Sequence, residues 1–158
     1  MAKIRTFEYP DDLYYTEEHV WVKTEDDNVR VGLSDFGQYI AGEINKVRAY
    51  PAGKPVTKGR PFAFIGSGKW GGQLRSPVSG KIIMVNEHVK NDPKLVNSSP
   101  YEEGWFVIIE PSRLQDELKD LFFGEEGMKR LDEDIVKRAR ELCEKGAISG
   151  ELCESIKE

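Results

Sequence analysis

Cysteine is scarce in this chain: there are two, Cys143 and Cys153, both in the last sixteen residues, so the body of the protein cannot be a disulfide scaffold. Histidine is equally rare, with only His19 and His88, and neither stands in a nucleophile–base or metal-ligand pattern. His19 precedes a tryptophan-containing strand and reads as a packed or hydrogen-bonded residue, and His88 as a solvated one in a turn. No apolar run approaches the roughly 20 residues of a membrane span. Residues Met1 to Glu8 contain no signal-peptide core, which makes the cytoplasm the expected location. An excess of basic residues is also missing. The formal charge of −5 argues against a nucleic-acid partner, whose affinity would come mainly from cations on phosphates.

What is present describes an ordinary folded chain. With 158 residues, 39% of them apolar, it can bury one real core and carry an appendage. Its most unusual stretch runs from Gly66 to Gly80, where four glycines surround Lys69 directly after the apolar run Phe62 to Ile65. Glycines at this density accept positive φ without steric cost and favour a tight turn. With strand-forming residues on both sides, Lys69 is expected at the tip of a β-hairpin, open to a modifying enzyme.

The flanks of that hairpin repeat each other. Gly42-Glu43-Ile44-Asn45-Lys46-Val47 and Gly80-Lys81-Ile82-Ile83-Met84-Val85 share Gly-x-Ile-x-x-Val, each followed by a polar turn rich in Pro, Gly, Asn and Lys. Such self-similarity predicts two related half-sheets joined by the hairpin.

Read in order, Tyr9 to Tyr15 looks like an irregular aromatic lead-in. His19–Lys23 and Val29–Leu33 read as a hairpin across the polar turn 25–28, and Ser34 or Asp35 can cap a single helical turn. Residues 104–109 form a last buried strand. Trp21 and Trp105 fit core packing, whereas Asp35, Lys81 and Glu87 read as surface charges. The expected body, residues 1–111, is therefore all-β.

After Pro111 the period becomes helical. Ser112 and Gln115 fit a capping box, Leu114, Leu118, Leu121 and Phe122 form one apolar face, and Gly124 should end that helix. A second helix is expected from about Glu126 to Lys145, with Met128, Leu131, Ile135, Ala139 and Leu142 inward. Residues 112–158 would be a helical appendage packed on the β-body. Cys143 and Cys153 occupy core-like helix positions, where sulfur behaves as a small hydrophobe. Alternatively, a helical hairpin about Gly146–Gly150 would bring them within bonding reach as a redox pair.

About residues 10–133 resemble the H protein of the glycine cleavage system. The resemblance rests on Asp12–His19 ahead of Trp21-Val22, on Val31–Phe36, on Gly42-Glu43-Ile44 and on Ser76-Pro77-Val78-Ser79-Gly80. It continues through Val85-Asn86-Glu87, Pro93–Tyr101 and Gly104-Trp105. It implies a barrel-sandwich hybrid fold, the carrier fold of lipoyl and biotinyl proteins. In that family the lipoylated lysine lies eight residues before the proline of Ser-Pro-x-Ser-Gly, and Lys69 stands at that distance from Pro77. The resemblance implies a non-catalytic carrier with lipoate covalently attached to Lys69. It implies as partners a lipoate ligase or lipoyl transferase and the glycine cleavage P, T and L proteins.

The lysine's surroundings depart from the family pattern. Gly66, Gln73 and Val20 stand where acids are usual, and in the family such acids line the cleft that receives the arm and its aminomethyl load. Trp70 adds a large apolar surface where a small residue is usual. Two readings follow. Other groups, such as Glu17, Glu18 or Asp35, hold a cationic load. Otherwise the chain resembles the lipoate-binding proteins of sulfur oxidation, whose arm serves a heterodisulfide-reductase-like complex.

Overall fold

The computed structural model describes residues 2–68 and 71–156. The chain opens with a hairpin, β1 (Ala2–Ile4) and β2 (Phe7–Tyr9), which precedes the stretch 9–15 expected as an irregular lead-in. Arg5 turns it with φ 60°, and Phe7 and Tyr9 are buried while Glu8 between them is exposed. Next come β3 (Tyr14–Tyr15), β4 (Val20–Glu25) and β5 (Asn28–Leu33). The β4–β5 pair is the expected hairpin, closing at Glu25↔Asn28. It also fixes a close contact. A Cβ on Gly32 would stand 2.6 Å from the indole of the fully buried Trp21, so only glycine fits beneath that ring.

Helix α1 (Asp35–Ala41) begins as expected, with the Ser34 hydroxyl accepting the Gly37 N–H at 3.1 Å. Asp35 is no free surface charge. Its carboxylate accepts the Glu8 N–H and the Gln38 amide, each at 2.9 Å. The chain continues through β6 (Ile44–Ala49), β7 (Pro55–Val56), β8 (Pro61–Ser67), β9 (Gly71–Arg75) and β10 (Gly80–Val85). Two short helices, α2 (Glu87–Asn91) and α3 (Leu95–Ser98), lead to β11 (Val107–Pro111). His88 thus lies in a helical turn, whose N-terminus is capped by Asn86.

The two copies of Gly-x-Ile-x-x-Val enter different sheets. β6 lies at the edge of a three-stranded sheet, in the order β6-β8-β9. β10 belongs to a six-stranded sheet, in the order β3-β4-β5-β11-β10-β7. The repeated isoleucines, Ile44 and Ile82, are both fully buried in the apolar cluster that includes residues of both sheets. Gly42 and Gly80, which open the copies, both have positive φ.

The C-terminal segment departs from expectation at its start. Helix α4 is short, Leu114–Leu118, and Arg113 rather than Ser112 occupies its N-cap without a side-chain bond. It stops before Leu121 because the chain turns to pair Phe122 with Tyr15, through N–H···O bonds of 3.0 and 2.8 Å. Gly124 does not end a helix; with φ 72° it opens α5 (Gly124–Glu144). Leu131, Ile135 and Ala139 of α5 are buried against the N-terminal hairpin, Trp21 and Phe36, in a second apolar cluster. Helix α6 (Glu151–Ser155) folds back on α5 after turns at Gly146 and Gly150, both of positive φ. The two cysteines are therefore not separate packed thiols: Cys143 and Cys153 form a disulfide, with Cα atoms 5.8 Å apart.

Candidate functional site

β8 and β9 pair antiparallel down to Gly66↔Gly71. Lys69 and Trp70 lie outside the described residues, in the link between these two strands. The described glycines next to that link, Gly68 and Gly71, have open space around them. A Cβ on Gly68 would meet nothing within 4 Å, and on Gly71 only a carbonyl oxygen at 3.9 Å.

The same hairpin forms one wall of a cleft of about 730 Å³, to which Ile65, Gln73 and Leu74 contribute. Gly37, Ile40 and Ala41 of α1, with Leu33 at the end of β5, add further apolar surface. A tight turn supplies Glu17, Glu18 and His19. There the Thr16 hydroxyl accepts the N–H groups of Glu18 and Val20, both at 3.2 Å. The remaining wall is α5, through Asp134, Lys137, Arg138, Glu141 and Leu142, followed by Ala147.

Hence the structure brings Gln73, Glu17 and Glu18 to one cleft. It leaves out Val20, which is fully buried in β4, and Asp35, whose oxygens are already engaged. Gly66 carries no side chain and does not line it. Sequence reasoning missed the charged residues of α5. Asp134, Lys137, Arg138 and Glu141 recur at i, i+3, i+4 and i+7, one polar stripe beside the apolar one, and that spacing was the available signal.

Three of the six charged side chains of this lining, Glu18, Arg138 and Glu141, are in ion pairs among the described residues. Arg75 lies 3.3 Å from Glu18, and Arg138 lies 3.4 Å from Glu141. His19 is the strained member of the lining. Its backbone has φ 71°, its carbonyl accepts the Ser34 N–H at 2.7 Å, and its ring meets Phe36 edge-on. Its Nδ1 is buried with no hydrogen-bond partner. Desolvation, and then the neighbouring Arg138, push the imidazole down to about 4, so His19 is neutral at pH 7.

The disulfide borders a different hollow, formed with Arg140, Ile148 and Gly150. Among the described residues no group of three or more His, Cys, Asp or Glu could hold a metal ion. No helix there is long and apolar enough to cross a membrane.

An open hairpin end beside an apolar cleft with a charged rim suits a long aliphatic arm carrying a polar end. Comparison with known proteins agrees with that geometry. The family model for the glycine cleavage H-protein matches residues 13–134. Glycine cleavage system H protein 2 of Aquifex aeolicus is 44% identical over 128 residues, covering 80% of each chain. A probable glycine cleavage system H protein 2 of Saccharolobus solfataricus is 42% identical over 132 residues, covering 81% of this chain and 88% of its own. Among solved structures, a glycine cleavage system H protein from Mycobacterium marinum superposes with a TM-score of 0.70 at 26% identity. That match covers 77% of this chain and 98% of the other. The two facing sheets and C-terminal helices are thus the barrel-sandwich hybrid of lipoyl carriers, and the chain belongs to the glycine cleavage H-protein family.

Proposed function

We propose that this protein is a lipoyl carrier, in which Lys69 is acylated by a lipoate ligase or lipoyl transferase. The arm would carry a covalently held aminomethyl group from the glycine cleavage P protein to the T protein, and the dithiol left behind would be reoxidised by the L protein. The observation that carries this reading is the pairing of an open hairpin end with the cleft its own strands line. The residues present fit the group: Leu33, Ile40, Ile65 and Leu74 suit an aliphatic chain, and the carboxylates on the rim suit a polar end. When attached, lipoate supplies a dithiolane that opens on reduction or thiolate attack.

The chain's own part is to display, shelter and release. Gly68 and Gly71, which have space around them, flank the lysine in sequence, and tethering raises the effective concentration of the load at each partner. No side chain is assigned a catalytic step. Residues 1–111 form the carrier body in this reading, residues 112–158 are an appendage packed on it, and the setting is cytoplasmic.

Sulfur transport to a heterodisulfide-reductase-like complex is the second reading. It is favoured by uncharged Gln73 in the cleft and by Lys137 and Arg138 on the opposite wall. The carrier reading is tested by intact mass after co-expression with a lipoate ligase. One lipoyl addition is expected on the native chain and none on Lys69→Arg; an unmodified native chain would overturn it. Supplying the lipoylated protein to glycine cleavage P protein, and separately to a sulfur donor, then decides between the two loads.

A further inference from the structure

Acids outnumber bases in this chain, 28 against 23, yet one stretch reverses the balance. From Ile44 to Val85 there is no Asp or Glu, while eight Lys and Arg fall there, Lys69 among them. That stretch folds as β6 to β10 with their links. It therefore supplies the whole three-stranded sheet, including β8 and β9, whose link holds Lys69.

Acids from elsewhere answer two of these cations: Asp120 pairs with Lys58, and Glu18 with Arg75. Lys46, Arg48, Arg60 and Lys81 are exposed and form no ion pair among the described residues. Unpaired like charges in water add nothing to the fold and repel one another. On the outer side of the three-stranded sheet two of them flank an aromatic ring. Arg48 is in register with Phe64, and Lys46 with Gly66, which has no side chain to cover the strand. Direct partners of an antiparallel pair share a face. Phe64 is 39% exposed there, while Ala63 and Ile65 on either side of it are buried. Aromatic and arginine side chains are the types enriched where proteins meet.

We propose that the outer side of β6-β8-β9, centred on Lys46, Arg48 and Phe64, is the docking surface for the enzyme that acylates Lys69, and that this enzyme meets it with an acidic surface. The inference rests on the carrier reading and deepens it by naming the face used and the charge of the partner. An enzyme that delivers an acyl group to the link between β8 and β9 has to approach over the sheet those strands build. Charge complementarity sets the sign: an acid-free face steers and orients an acidic surface and rejects a basic one. A protein is favoured over a nucleic acid or an anionic bilayer because all 28 acids lie outside this stretch. Those acids repel an extended polyanion, whereas a protein surface of limited area can match the basic face alone.

The test uses the full, unacylated chain and the purified lipoate ligase that modifies it in the mass experiment. Initial rates of lipoylation are followed against carrier concentration. Raising salt from about 50 to 300 mM should lower kcat/KM about tenfold through screening. Arg48→Glu should raise KM about fivefold, with kcat within about twofold, the size expected for reversing one exposed interface charge. Arg48→Lys should stay within about twofold of native, because it keeps the charge. Phe64→Thr should raise KM about threefold by an amount that salt does not change. Lys129→Glu, at an exposed position on α5 outside the acid-free stretch, should leave both constants unchanged. A rate indifferent to salt, an unchanged KM for Arg48→Glu, or an equal effect of Lys129→Glu would each overturn the proposal. So would saturable binding of the native chain to phosphatidylserine vesicles or a single-stranded oligonucleotide at physiological salt, lost in Arg48→Glu. The salt dependence of the native chain decides even if a variant fails to fold. A chain that gains the lipoyl group at a salt-independent rate sinks only this inference; a chain that never gains it sinks the carrier reading as well.

Discussion

Glu117 accepts two hydrogen bonds from Ser79, thirty-eight residues earlier in the chain: one from the backbone N–H and one from the hydroxyl, each at 2.7 Å. The carboxylate is buried, and it anchors α4 to the Ser76-Pro77-Val78-Ser79-Gly80 stretch that follows the hairpin. The Ser112 N–H donates to the Ser79 carbonyl at 3.0 Å and reinforces the junction.

Removing that carboxylate leaves a shielded backbone donor without a partner. Glu117→Ala should cost about 2–3 kcal/mol, the range for losing hydrogen bonds to a charged group. Glu117→Gln, which keeps one acceptor, should cost less. Urea denaturation with an unchanged slope checks both, and equal midpoints for Ala and native protein would show the contact to be idle.

His19 gives the fold a pH dependence with a definite sign. Burial, followed by repulsion from Arg138, lowers the folded imidazole from 6.5 to about 4. Between these values the unfolded chain binds the proton and the folded one does not. Stability from this site is therefore complete above about pH 6.5 and falls as pH drops toward 4. The full loss is on the order of 3 kcal/mol. Other elements packed around the ring bring Glu17, Glu18, Asp134, Lys137 and Glu141 to the same cleft. His19→Asn isolates the histidine, because asparagine tolerates the positive φ. The native-minus-variant difference in unfolding free energy should fall between pH 6.5 and 4; a flat difference would contradict the neutral, desolvated imidazole.

How much of this was legible depends on what each residue answers to. Alternating valines gave away β4 and β5, and the repeated Gly-x-Ile-x-x-Val, read as two related half-sheets, falls on β6 and β10 of different sheets. The β1–β2 hairpin was not readable, because three-residue strands are too short to establish alternation. Helix α4 looked longer than it is: Leu121 and Phe122 continue its apolar spacing, but Phe122 pairs with Tyr15 instead. Tertiary pairing overrode local period. Lys69 is singled out by the family resemblance through its distance from Pro77, and it lies outside the described residues. The α5 side of the cleft was not legible, since a charged helix face reveals nothing of its neighbours until the helix is docked.

Gly32 offers a sharper test of core geometry than any apolar truncation. Gly32→Ala would force a methyl to within 2.6 Å of the Trp21 ring, whose Nε1–H donates to the Pro100 carbonyl at 2.9 Å. The indole cannot retreat without losing that bond. A loss of about 1–3 kcal/mol is expected from overpacking. It should be accompanied by a red-shifted Trp emission on partial exposure; an unchanged spectrum and midpoint would mean the ring has room the structure denies.

The Cys143–Cys153 disulfide closes a short loop, with a sequence separation of 10, and its effect should be local. Chain-entropy arguments give such a loop roughly 2–3 kcal/mol. Beyond the disulfide, α6 is held by Ile156, which is buried and whose carbonyl accepts Arg140 at 3.1 Å, and by the half-buried Ile148 and Leu152. The β-sheets make their own contacts and do not depend on it. Reduction with a small phosphine should therefore speed amide exchange across α6 by about a hundredfold while leaving β8 and β9 protected. Because Leu142 and Ala147 also line the cleft, amides there should respond in part. The double variant Cys143→Ser/Cys153→Ser should match the reduced protein. Exchange that stays slow in α6 after both treatments would mean that Ile156 and its neighbours hold the turn unaided, with the sulfur–sulfur bond free for exchange chemistry.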